Sequence, residues 1–199
     1  LDLSGGWHDA GDNIKFTLTI AWSAYALLKG YDAFPAAYAD SYNRSYDSPN
    51  GIPDILDEVK WATDYLMKIH LDSATLVSQI GDYRDHNNGL TCPTMTKSGI
   101  AKGGDPRTVW FGATSNDPTQ VKADVLGITS AALAAMGRLY APYDASYATS
   151  AIRHARQLYA VAKSRTGTTA EPAGQNYYKD GSYLDDLSCA AAELHRATG

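Results

Sequence analysis

The 199 residues of this chain predict an all-α fold. Apolar residues recur three and four positions apart through several long stretches, the spacing of one helix face. Gly30, Pro53 and Pro142 stand at the edges of such stretches, where helices end or begin. Only a short connection joins the stretches on either side of Pro142, and short links make antiparallel helical neighbours.

In chain order, the first feature is a glycine-flanked loop, Ser4-Gly5-Gly6-Trp7-His8-Asp9-Ala10-Gly11-Asp12. Phe16 to Gly30 reads as the first helix, closed by a glycine, although β-branched Thr17, Thr19 and Ile20 weaken its start. Pro35 closes the following turn. Ile55, Leu56, Val59, Ala62, Leu66 and Ile69 stack on one side of a second helix opened by Pro53, so that side is expected to be buried. Val121 to Tyr140 is alanine-rich and strongly helical, Pro142 stops it, and Ser146 to Ser164 forms the next helix. Asp185 to Ala197 starts with acids and ends with His195 and Arg196, the polarity the helix dipole favours. Gly81 to Asp117 and Thr166 to Ser182 are long polar loops, and loops of that length bind something or are disordered. Trp7, Trp22 and Trp61 are assigned to the core, and Glu58 and Glu193 to solvated helix faces. No repeat or low-complexity linker divides the chain, which reads as one unit.

Composition narrows the function. Hydrophobic residues make up 44% and charged residues 20%, values of a globular domain with a sizeable core. A formal net charge of -5 argues against a nucleic-acid partner, which needs a basic face to meet phosphates. No run of about 18 apolar residues is present, so no membrane span is expected. The start at Leu1 lacks a basic and then apolar leader, as expected of a mature or excised piece. Only Glu58, Glu171 and Glu193 are glutamates among 22 acidic residues, and tyrosines number 14, a bias that suits calcium and sugar binding. Cys92 and Cys189 make no metal-binding spacing with the five histidines, and their pairing stays open.

Asp9 and Asp12 put two carboxylates three residues apart. Such a pair can hold one water between them, half of what an inverting glycoside hydrolase needs. The same pattern ahead of an apolar run also starts an ordinary helix, with one Asp as N-cap and the other favoured by the dipole. Both readings stand on these residues alone.

The stretch Leu3-Ser4-Gly5-Gly6-Trp7-His8-Asp9-Ala10-Gly11-Asp12-Asn13-Ile14-Lys15-Phe16 resembles the opening signature of the catalytic domain of glycoside hydrolase family 9, the inverting endoglucanases. Asn50 to Trp61, Asp105 to Trp110, Ser182 to Leu187 and Leu194 to Gly199 are similar to later landmarks in the family's order, so the resemblance covers essentially the whole chain. It implies that residues 1–199 are the N-terminal portion of a single catalytic domain with an (α/α)6 toroid, incomplete in this chain. The implied activity is hydrolysis of internal β-1,4-glucosidic bonds of cellulose or related β-glucans. The implied setting is secreted, with carbohydrate-binding or Ig-like modules flanking the domain outside this chain. A portion that binds glucan without turning it over is the alternative.

By the same resemblance, Asp12 is the general base and Asp9 helps position the water, while the glutamate acid of the family lies beyond Gly199. His86 falls near a sugar subsite, with a turn-capping loop histidine as the other reading. Tyr177 matches a cleft position, and Trp110 either stacks on a sugar or packs in the core. Arg107 orders its loop by ion pairing. Gly181, Ser182, Asp185 and Asp186 resemble the family's calcium site, the alternative being two acids at a helix N-terminus. Asn13 stands where the family commonly has histidine, and Ile128 where it commonly has glutamate.

Overall fold

The computed structural model describes residues 2–42, 48–87 and 107–199. It is mostly helical, as expected, with small strands that helical periodicity does not reveal. In order these are β1 (Lys15–Phe16), α1 (Thr17–Ala33), α2 (Asp54–Ile69), β2 (His70–Asp72), β3 (Thr75–Leu76), β4 (Gln79–Ile80), α3 (Tyr83–Asn87), β5 (Val109–Trp110), α4 (Ala123–Tyr140), α5 (Ala145–Ala162) and α6 (Leu184–Thr198). Two 3-10 turns, Pro35–Ala37 and Pro118–Gln120, complete the described elements. Antiparallel β1, β4 and β5 form one small sheet, with Lys15 opposite Ile80 and Gln79 opposite Trp110, and β2 and β3 form a hairpin.

Helix α4 is the hub, with sixteen of its 18 residues buried. Its alanine-rich sequence explains this position, because small side chains let α1, α5 and α6 approach from different sides. Its buried hydroxyls are satisfied by nearby carbonyls: Thr129 donates to Val125 at 2.7 Å and Ser130 to Ala155 at 2.8 Å.

The direction of each helix follows from who meets whom. Near the C-termini of α1, α4 and α6, Arg138 grips Asp32 through two 2.9 Å hydrogen bonds, Arg196 reaches Asp32 at 2.6 Å, and Lys29 reaches Glu193 at 2.9 Å. These three helices therefore run parallel. Outer helices α2 and α5 are also parallel to each other, since Thr63 meets Tyr147 and His70 meets His154 at the same offset. The tight turn after Tyr140 reverses α5 against α4, so inner and outer layers run in opposite senses.

Three expectations are corrected. Glu193 lies on no solvated face: its side chain is 1% exposed, and donors from Lys29 and Arg138 outweigh the burial that pushes its carboxyl up, holding it below the usual range. Gly30 does not close α1, which continues to Ala33; a side chain at Gly30 would meet the Tyr38 hydroxyl at 2.8 Å. Trp22 and Trp61 are outside the core, 61% and 44% exposed. The α1 stripe that packs is Ile20, Ala21, Ala24 and Leu28, and Trp22 points away from it. Trp7 is half-buried and packs against the core.

His70 and His154 bring their Nδ1 atoms within 2.8 Å, so one ring must donate and the other accept, which requires at least one neutral imidazole. Burial, then the facing His154, pushes His70 down to about 4, against the opposing charge of Asp72; burial and Arg153 push His154 down. Both folded values lie below the ordinary one, so the unfolded chain binds protons first. The stabilisation is complete above about pH 6.5 and is lost as pH falls toward 4, an effect on the order of 2–3 kcal/mol. Urea unfolding at pH 7 and pH 4.5 is expected to show this loss in the native chain and a smaller one in His70→Leu. Equal losses in the two would remove the histidine pair as the cause.

Candidate functional site

The loop from Asp2 to Asn13 is held by one side of α2. Lys68 donates to the Ser4 carbonyl at 2.9 Å and to Asp2 at 3.1 Å, the Trp61 indole donates to the Gly6 carbonyl at 3.0 Å, and the Trp7 indole donates to Glu58 at 2.7 Å. Glu58, Trp61, Tyr65 and Lys68 recur at helical spacing, so one stripe of one helix sets the path of the loop. From the other side Lys15, only 6% exposed, donates to Gly5 at 2.6 Å and Leu3 at 3.2 Å and lies 4.8 Å from the centre of the Tyr65 ring. Burial, then the charge of Arg107, pushes its ammonium down to about 8. Gly6 has φ +68°, and a Cβ there would come within 2.6 Å of the Tyr65 ring.

Asp9 and Asp12 lie in the turn that follows. The Asp9 N–H donates to the Ile14 carbonyl at 3.0 Å, and Asp12 Oδ1 accepts the Ile14 N–H at 2.9 Å. Neither carboxylate caps α1: strand β1 intervenes, and Phe16 occupies the N-cap position without a side-chain bond. The helix-start alternative for the pair is thereby set aside. Asp9 is instead held from two elements, with Thr19 of α1 donating to Oδ1 at 3.0 Å and the Tyr178 hydroxyl to Oδ2 at 2.5 Å. That hydrogen bond, then burial, pushes the Tyr178 phenol up to about 12, and the charge of Asp12 adds to the effect. Burial, then the charge of Asp12, pushes the Tyr177 phenol up, and burial with a smaller push from Asp12 raises the Asp85 carboxyl against the pull of Arg107.

The loop that brings Tyr178 is tied down along its length. Asp124, 1% exposed at the start of α4, accepts the Thr169 N–H at 2.7 Å and its hydroxyl at 2.6 Å. Gln175 exchanges amide bonds with Gln79. The Glu171 carboxylate accepts the N–H groups of both Tyr177 and Tyr178, and both rings make T-shaped contacts with Phe16. Arg107 pairs with Asp85 at 3.2 Å.

Tyr177, 39% exposed, stands beside Tyr178 near the carboxylates. Trp110 is half-buried in β5, its carbonyl accepting the Ser78 N–H and hydroxyl, and its indole N–H is enclosed. His86 is on α3, but its side chain lies outside the described residues, as do Asp105, Pro106 and Cys92. Asp185 and Asp186 begin α6, with Gly181 and Ser182 in the turn before it, where Ser182 Oγ accepts the Leu184 N–H. Sequence reasoning missed Asp180, whose oxygen lies within 4.8 Å of those of Asp185 and Asp186, and also Tyr178 and Glu171. Asp186 is buried, and its Oδ2 has no hydrogen-bond partner. Burial, then the charges of Asp180 and Asp185, pushes it up to about 8. These residues fit a hard cation, which would supply the missing partner. An open groove of about 580 Å³ connects this cluster with Asp9, Tyr178 and exposed Trp22.

Gly6→Ala tests the loop's fit. Gly51 has a similar positive φ of +87° but open space around it, so Gly51→Ala measures backbone strain without a clash. Urea unfolding is expected to show Gly6→Ala destabilised by roughly 1–3 kcal/mol more than Gly51→Ala. Equal losses would mean that Tyr65 yields freely.

With this geometry in place, known proteins supply a frame. Residues 1–199 match the sequence model of Glycosyl hydrolase family 9. Endoglucanase 15 of Arabidopsis thaliana is 35% identical over 202 residues, covering all of this chain and 37% of that protein. Endoglucanase A of Bacillus pumilus is 32% identical, covering 99% of this chain and 28% of its own length. Among solved structures, an endoglucanase from the termite Nasutitermes takasagoensis superposes with a TM-score of 0.78 at 31% identity, covering 99% of this chain and 42% of its own. The cellulase Cel9M of C. cellulolyticum, in complex with cellobiose, superposes at 0.73 and 32%, covering 100% and 41%. Such structures have an (α/α)6 barrel, so the parallel inner and outer helices described above are an arc of that toroid. This chain spans less than half the length of each of these relatives, and within that span, matched from its first residue to its last, it belongs to glycosyl hydrolase family 9.

Proposed function

We propose that this chain is the N-terminal portion of a catalytic domain that hydrolyses internal β-1,4-glucosidic bonds of cellulose or a related β-glucan with inversion, with Asp12 as general base and Asp9 fixing the attacking water. The observation that carries the reading is the preorganised pair itself. Asp9 is oriented by donors from α1 and from the 166–183 loop, Asp12 lies on the same turn, and an open groove leads to Asp9. Inversion requires a carboxylic acid about 6.5–9.5 Å from the base, with room for water between them. The glutamates here are engaged elsewhere: Glu58 takes the Trp7 indole, Glu171 takes loop backbone, and Glu193 sits in the ion cluster at the far ends of the helices. These contacts support the reading that the acid is the family's glutamate, outside these residues. Tyr177 offers a ring to a pyranose face, with His86 beside the subsite, and Trp110 acts through the sheet. The cellobiose bound by Cel9M supports a glucan as the partner. The reading carries with it a secreted setting and flanking carbohydrate-binding or Ig-like modules.

Calcium belongs to the same reading. Asp180, Asp185 and Asp186, with oxygen atoms from the Gly181–Ser182 turn, would hold the ion, fixing the start of α6 and the loop that carries Tyr178.

Reducing-end release from a soluble β-1,4-glucan tests the chemistry, on this chain and on a version continued with the remainder of a family-9 domain. Activity is expected only in the longer form, with Asp12→Asn lowering it by about 10²–10⁴-fold. Turnover by the 199 residues alone would place the acid among them and overturn this assignment. For the metal, calcium is expected to raise the thermal midpoint of this chain but not that of Asp186→Asn. An equal rise in both would locate calcium binding elsewhere.

A further inference from the structure

The Glu171 carboxylate accepts the N–H groups of two consecutive residues, Tyr177 and Tyr178. Consecutive N–H groups point the same way only where the backbone curls tightly, and a carboxylate at the focus of the curl forms charge-assisted bonds to both. Two other ties secure this loop, Asp124 at Thr169 and Gln79 at Gln175, but both lie before the tyrosines and leave their direction open. The curl directs both rings against Phe16, at centroid distances of 6.1 and 5.0 Å. It also carries the Tyr178 hydroxyl to Asp9, which takes a second side-chain hydrogen bond from Thr19. A carboxylate held through one oxygen can swing about its terminal torsion, whereas one held through both cannot.

We propose that Glu171 is a positioning residue for Asp9: by gathering the Tyr177 and Tyr178 N–H groups it seats the Tyr178 hydroxyl on one Asp9 oxygen, and so fixes the plane of the carboxylate that holds the water. The inference rests on the reading of Asp9 given above for its functional meaning, but the contact it describes can be measured without turnover. It assigns Glu171 to support of the carboxylate pair, acting through another side chain rather than on the substrate.

The experiment places 3-fluorotyrosine at position 178 and measures, at pH 7 and with a calcium chelator present, the relaxation that a neutral soluble paramagnetic probe adds to its ¹⁹F resonance, which reports how far the ring is seated and not its charge. Asp9→Ala removes the acceptor and defines the released value. Glu171→Ala is expected to raise the relaxation toward that value. Gln175→Ala, which loosens the loop at its other tie, is expected to leave it as in the native chain. Glu171→Gln keeps the size of the side chain and is read in the same way if the alanine variant loses its fold, with a smaller rise expected.

Three results overturn the proposal. If the Glu171 variants relax like the native chain while Asp9→Ala rises, Tyr178 finds Asp9 unaided. If Gln175→Ala raises the relaxation as far as Glu171→Ala does, general loosening of the loop is the cause. If Asp9→Ala leaves the relaxation unchanged, Tyr178 does not hold Asp9 in solution. Because hydrolysis is not read, these outcomes stand apart from success or failure of the endoglucanase reading.

Discussion

A buried ammonium organises the end of the molecule that carries the carboxylates. Lys15 loses its hydration in a site where it is 6% exposed, a cost offset by two carbonyl acceptors and the face of Tyr65. Those acceptors belong to Leu3 and Gly5, so the chain must fold back on itself between Gly5 and Lys15, the span that carries both aspartates. Gly6 must then pass within van der Waals contact of Tyr65, which its positive φ and missing side chain permit. The next residue after Lys15 is Phe16, against which both loop tyrosines pack. Asp9 and its two donors thus depend on a register set by one lysine at the start of the small sheet.

The two ends of the inner helices divide the work. Asp124, Asp185 and Asp186 lie in first turns, where the helix dipole favours negative charge, and Arg138 and Arg196 lie in last turns, where it favours positive charge. At the C-terminal end these cations, with Lys29, meet Asp32 and Glu193 in a network that fixes the three helices side by side. At the N-terminal end the acids are left facing loops and a groove. Three carboxylates gathered there, one of them buried with an unpartnered oxygen, form an arrangement that a divalent ion would relieve. Rigidity at one end allows function at the other to be built largely from loops.

The helices were legible because each announces itself over many residues. The amphipathic face of α2, the alanine-rich α4 and the acid-first, base-last α6 were all located to within a few residues of their bounds. Two-residue strands carry no comparable signal, and β1, β4 and β5 exist because the loops they join are brought together in space. Trp22 and Trp61 were misplaced because hydrophobicity says that a ring is favourable to bury, while the side of the helix on which it falls decides whether burial occurs. Glu193 was misplaced for the opposite reason: an isolated glutamate belongs in water, and only three cations drawn from three helices make its burial tolerable.

By itself, the sequence determined the helical class, the order of the long helices and the glycine-flanked pair Asp9 and Asp12, since these follow from local spacing and backbone freedom. It also carried the family's motifs in order along the chain. Only the tertiary structure decided that neither aspartate caps a helix, that Tyr178 and not its neighbour reaches Asp9, and that Asp180 joins Asp185 and Asp186. Tyr178 lies 169 residues from Asp9, and its path there runs through Glu171, Asp124 and Gln79 on separate elements. Contacts at that separation are set by packing and loop closure, and no local pattern of residues records them.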